Sequence, residues 1–179
     1  MKLNNTLIAM GMAFAVVSTA SFAAGTVPPV TAGSSTGKIM LEGTLVNAAC
    51  ALKDASGVNV NFDEITVHSL NKGGTSRTKS IELVDCDTTV ASHATVTYNP
   101  VSQIDGTLAA MNQGTAKGLA IKLADSSGQP VSWGQPTQQV NLSNGDSTIP
   151  FTATVVKSDV ADVEPGTFKS QINFQIDYQ

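Results

Sequence analysis

The chain has 179 residues and a formal net charge of −4, and only 13% of its residues are charged. One ordinary domain fits that length, and 37 Ser and Thr beside 27 Val and Ile favour strands over helices. The same figures exclude a coiled coil, which needs abundant Glu, Lys and Leu, a nucleic-acid binder, which needs a basic surface, and an intrinsically disordered chain.

In chain order, the first element is an address. Lys2 precedes an apolar run from Leu7 to Val17, and small residues follow from Ser18 to Ala24. A membrane-spanning helix needs about 20 apolar residues, so the shorter run predicts a secretory signal peptide over residues 1–23, cleaved after Ala23. Loss of Lys2 leaves nine basic and 14 acidic side chains, a net charge of −5. The mature chain is expected to be exported and soluble. Residues 24–35, with Pro28 and Pro29, read as a Gly/Pro/Ser/Thr-rich leader.

Alternation then begins. Gly37, Ile39, Leu41, Gly43 and Leu45 share one face of a predicted strand, with Lys38, Met40, Glu42 and Thr44 on the other. Cys50 and Cys86 follow; in an oxidising compartment such a pair most simply forms one structural disulfide, because a redox pair would sit close in sequence. Val58, Val60 and Phe62 predict a further strand, Ile81 and Leu83 one that runs into Cys86, and Ala94, Val96 and Tyr98 one that ends at Asn99-Pro100. Lys79 stands in the Ile81/Leu83 phase where an apolar residue is expected; it either marks the strand's start or lays its stem along the surface. Leu108 to Met111 has room for a helical turn and nothing longer.

Leu119, Ile121 and Leu123 give another strand before the turn Ser126-Ser127-Gly128. Val140 and Leu142 lead into Asn144-Gly145-Asp146, a hairpin signal, and then to a strand through Ile149, Phe151, Ala153 and Val155, with Pro150 expected at its start or on an edge. After Pro165-Gly166, the residues Phe168, Ile172, Phe174, Ile176 and Tyr178 alternate with polar neighbours up to Gln179, which predicts a final strand. Regularly spaced strands without a long helix make an antiparallel sandwich or barrel.

Four segments together carry a resemblance. Gly43 to Cys50 (GTLVNAAC) and Leu83 to Asp87 (LVDCD) resemble the matching segments of bacterial chaperone–usher pilins of the type 1 fimbrial family. So does the C-terminal pattern of Gly166 fourteenth from the end, alternating apolar residues and the penultimate aromatic Tyr178. Asn112 to Trp133 is similar to the middle of such subunits.

The resemblance implies an all-β fold: an incomplete immunoglobulin-like β-sandwich lacking its final strand and completed by a donor strand from a partner. It implies a donor strand at about 36–45 within an N-terminal extension 24–45, its inserted face made of Gly37, Ile39, Leu41 and Gly43, ahead of a pilin domain at 46–179. The chaperone or groove strand would hold Gly166, Phe168, Ile172, Phe174, Ile176, Tyr178 and Gln179. Implied partners are a periplasmic chaperone, an outer-membrane usher and other pilin subunits in a head-to-tail polymer; the implied location is a surface fimbria reached through the periplasm. The expected function is a structural, adhesion-related fimbrial subunit, and the alternative is a single-domain carbohydrate-binding module.

Other chemistry finds little support in the sequence. His68 and His93 lie in separate segments without a G-x-S-x-G elbow, so no enzyme is expected. Asp85, Asp87, Asp159, Asp162 and Glu164 reproduce no calcium loop and read as solvated turns. Trp133 reads as a packing residue, and neither metal nor cofactor is expected.

Overall fold

The computed structural model describes residues 33–43 and 48–179. The expected signal peptide, the leader to residue 32, the donor residues Thr44 and Leu45 and the start of the pilin domain at 46–47 lie outside those residues. Within 48–179 the chain forms β1 (Ala51–Leu52), α1 (Val67–Asn71), β2 (Thr75–Cys86), β3 (His93–Pro100), β4 (Ala109–Ala110) and β5 (Gln113–Gly114). There follow β6 (Leu119–Ala124), β7 (Val140–Asn141), β8 (Gly145–Lys157), β9 (Phe168–Lys169) and β10 (Ile172–Tyr178).

One sheet has the order β1-β2-β8-β6-β4 and the facing one β10-β3-β7, while β5 and β9 make a two-stranded ribbon. All pairs are antiparallel. Period-two alternation puts Ile81 and Leu83 of β2, Ala94, Val96 and Tyr98 of β3, and Ile149, Phe151, Ala153 and Val155 of β8 into one core. The rings of Tyr98 and Phe151 meet between the sheets, their centroids 6.2 Å apart. Burial lifts the Tyr98 phenol well above its ordinary pKa, with the Asp125 carboxylate adding to the effect. Leu83 is 1% exposed, so Leu83→Ala is expected to cost about 2–5 kcal/mol, read as a lowered denaturation midpoint of the purified chain.

Several expected elements differ. Residues 58–62 keep the expected facing, with Phe62 buried and Asn59 and Asn61 exposed, yet they form no ladder. Alternation specifies which side chains turn inward, but a strand also needs a neighbour to accept its backbone. The Asn144-Gly145 turn is not a hairpin: β7 pairs with β3 in one sheet and β8 with β2 in the other. Gly145 takes a φ of +84°, and the Asn144 side chain accepts hydrogen bonds from Thr88 N and Oγ1 at 2.8 Å each, which commits the turn to a crossing between sheets.

Pro150 is in the interior of β8, opposite Ser80. The ladder with β6 reaches only Thr152, so on that flank the proline, which has no N–H to give, faces no strand among the described residues. Ala109–Ala110 pairs with β6 instead of making a helical turn. A short helix forms at α1, where Thr66 Oγ1 caps Ser69 N at 3.1 Å.

The predicted final strand is two. Phe168 pairs with Gly114 in the ribbon, while β10 starts at Ile172 opposite Pro100. Between them Ser170 donates its hydroxyl to Ala110 O at 2.9 Å, and Val101 N bonds to Gln171 O. Residues 33–43, a separate unit, contain no strand, and all of their side chains are exposed. An alternating segment with neither edge paired has no reason to hold a strand conformation in water.

Candidate subunit interface: an open groove beside the last strand

The inward row of β10 is Ile172, Phe174, Ile176 and Tyr178. Each packs against the core yet is only half-buried. The reason is positional: β10 is the edge of its sheet, paired to β3 over seven residues, and no strand lies on its outer flank among the described residues. The facing sheet is also thin there. β1 covers β2 only at Val84 and Leu83, and Lys53 N extends the contact to Glu82 O. Between the two flanks runs a groove of ≈ 690 Å³ lined by Leu52, Val58, Lys79, Ile81 and Phe174 among others.

The two ends of the β10 edge are fixed differently. At one end Cys50 and Cys86 form a disulfide, Asp87 N bonds to Ala49 O at 2.8 Å, and the Tyr178 hydroxyl donates to Cys50 O at 3.3 Å. Burial raises the pKa of that phenol above an ordinary value that already keeps it a donor at neutral pH. Gln179 continues the β10 ladder, its N–H and C=O both bonded to His93 at 2.9 Å. At the other end Phe168 packs on Phe62 with centroids 6.4 Å apart.

Gly166 stands apart from β10. A Cβ there would lie 2.6 Å from Ala116 N, so the residue is glycine because the loop at 115–116 presses on it. Ile172, Phe174, Ile176, Tyr178 and Gln179 are thus brought together on one edge, whereas Gly166 and Phe168 belong to the turn and ribbon before it. Gly37, Ile39, Leu41 and Gly43 share an unpaired segment in which Ile39 is 88% and Leu41 90% exposed. The far wall of the groove, Leu52 with Val58, was not assigned by sequence reasoning. Its only signal is the alternation of 58–62 in a stretch that nothing pairs.

The remaining candidates are surface features. Asp87 accepts from Thr89 N and Oγ1, bonds that hold its carboxyl below the usual pKa. Glu164 pairs with Lys117 at 2.9 Å, and His93 Nδ1 meets Ser92 Oγ at 2.8 Å.

Comparison with known proteins decides what such a sandwich is. The Fimbrial protein family matches residues 39–179. The chain belongs to that family. It is 42% identical over its full length to the full-length "Major fimbrial subunit" of Proteus mirabilis (strain HI4320). It is 30% identical, again over both full lengths, to an Escherichia coli "Type-1 fimbrial protein, A chain".

The solved P pilus rod subunit PapA matches with 25% identity and a TM-score of 0.62, over 74% of this chain and 100% of that one. A subunit of a chaperone–usher pilus studied for rod uncoiling matches at 25% identity and a TM-score of 0.63, over 83% and 99%. This fimbrial protein therefore has the pilin fold and is a structural subunit of a surface fimbria, where it polymerises with other pilins. The carbohydrate-binding alternative has no support among these relatives.

Proposed function

We propose that this fimbrial subunit assembles by strand addition, the segment at about 36–45 of one copy lying along β10 of the next. The observation that carries the proposal is the half-buried row Ile172, Phe174, Ile176 and Tyr178 on an edge unpaired among the described residues, with Phe174 lining an open groove. An added strand would take up the free backbone edge of β10 and fill the groove with alternate side chains. Gly37, Ile39, Leu41 and Gly43 supply the complementary period, and their exposure leaves them available. Joined this way, one end of each copy meets the other end of its neighbour. Such heterologous contacts do not close and so generate a filament.

An apolar open edge also invites aggregation. A periplasmic chaperone would cover it after export on the signal peptide 1–23, and an outer-membrane usher would hand subunits from chaperone to fibre. Adhesion is then a property of the whole fimbria rather than of a binding site on this chain, and no catalysis is assigned to it. Ile176→Lys tests the groove, because it puts a charge into the half-buried row. Recovery of the chaperone with this variant from periplasmic extracts is expected to fall about tenfold, since burying an unpaired charge costs more than the lost apolar contact returns. Wild-type recovery together with wild-type fibres would overturn the assignment.

A further inference from the structure

The strand registers place the groove walls in rungs. Lys79 of β2 is opposite Phe151 of β8, Phe151 meets Tyr98 of β3 across the core, and Tyr98 is opposite Phe174 of β10. Lys79 and Phe174 therefore face each other across the groove, and both line it. One rung along, Ile81 is level with Ile176 through Ile149 and Val96. On the other side Arg77 is level with Ile172.

Lys79 thus stands on the inward face of β2 in a row that continues into Ile81 and Leu83, both 1% exposed, yet it is itself exposed because the groove is open. It makes no ion pair among the described residues, whereas Arg77 is 3.8 Å from Asp63 and Lys53 is paired with Glu82 at 2.5 Å.

A strand laid in the groove would cover this lysine. Its stem can pack against the inserted side chains, but the ammonium must emerge at the surface or find a carboxylate. The segment 33–43 carries one acid, Glu42, and one base, Lys38, both in the phase opposite to Gly37, Ile39, Leu41 and Gly43. Four inward positions match the four rungs of β10. Antiparallel to β10, the segment brings Glu42 beside the Lys79 rung and Lys38 toward the end that holds Asp177, Asp85 and Asp87. Parallel to β10, Lys38 meets Lys79 and Glu42 meets Asp177, so like charges face each other at both ends.

We propose that Lys79 is a specificity-determining residue of the groove, which takes the carboxylate of Glu42 from a second copy and thereby selects the direction and the acidic character of the inserted segment. This rests on the strand-addition reading above. A donor with a basic or apolar residue in place of Glu42 leaves the ammonium without a partner and is discriminated against.

The test uses the full chain in its own cells, with Lys79→Glu, Glu42→Lys and the double swap, and reads the rate at which isolated fibres release subunits on heating at low salt. Each single swap is expected to speed release about fivefold, and the double swap to return it to within about twofold of wild type. The differences should shrink at 1 M salt, where screening reaches about 3 Å. Single swaps that behave as wild type, or a double swap no slower than the faster single, would overturn the pairing.

If Lys79→Glu fails to fold, Lys79→Met serves instead: its fibres should lose the salt dependence of release, and an undiminished salt dependence would overturn the proposal. A variant lacking residues 37–43 keeps the two readings separate. Fibres formed without that segment overturn strand addition itself, whereas their loss with neutral charge swaps overturns only the role of Lys79.

Discussion

Removal of Gly37 to Leu45 is expected to leave a folded, disulfide-bonded subunit that forms no fibre. The described part of this segment contributes nothing to the core: Ile39 and Leu41 are 88% and 90% exposed, and the strands that build the sandwich all begin at or after Ala51. Loss of residues 37–43 therefore costs the fold no burial. In the proposed assembly the same two side chains pass from water into a neighbour's groove, each gaining about 1.5–3 kcal/mol, and the backbone between them gains a ladder along β10. Among the described residues no other segment offers that combination of exposure and alternation. Circular dichroism and chaperone co-purification at wild-type levels, with no fibre sedimenting from sheared cells, is the expected result. Sedimenting fibres would exclude the segment as the link.

Replacement of Cys50 and Cys86 together is expected to reduce the yield of folded subunit severely. The bond closes a loop with a sequence separation of 36, for which chain entropy alone gives about 4 kcal/mol. That is a large share of the 5–15 kcal/mol that typical domains possess, and this domain has an edge strand whose inward row is only half-buried. The bond also has a local task. It ties the start of β1 to the end of β2, and Cys50 O is the acceptor for the Tyr178 hydroxyl. Without it the first wall of the groove and the last residues of β10 both lose an anchor. Periplasmic yield and the denaturation midpoint are the measurements, and wild-type values for the double Cys→Ala variant would show the bond to be dispensable.

The core was legible because it depends on period two, which any partner satisfies. Ile81, Leu83, Val96, Tyr98, Ile149, Phe151, Ala153 and Val155 are all buried as their alternation predicts. The even-phase row of β10 was legible for the same reason. What alternation could not reveal is which backbone pairs with which. Residues 58–62 have the pattern of a strand and no partner, and Asn144-Gly145 has the residues of a hairpin but joins two sheets. The single even-phase run after Gly166 is cut at Ser170, whose hydroxyl is drawn to Ala110 O. Each depends on a residue distant in sequence, which a local window does not contain. The groove itself was reachable only through the family pattern, since the absence of a neighbour leaves no mark on the strand that lacks it.

The seven-residue register of β10 with β3 has a mechanical consequence. Hydrogen bonds of an antiparallel ladder run across the strands, and Gln179 extends the ladder to His93 through both its N–H and its C=O. In a fibre linked by strands laid along β10, tension directed along those strands displaces every rung sideways together. The links then fail by shear, all rungs at once, rather than by peeling one bond after another. The load a junction bears consequently scales with the length of β10.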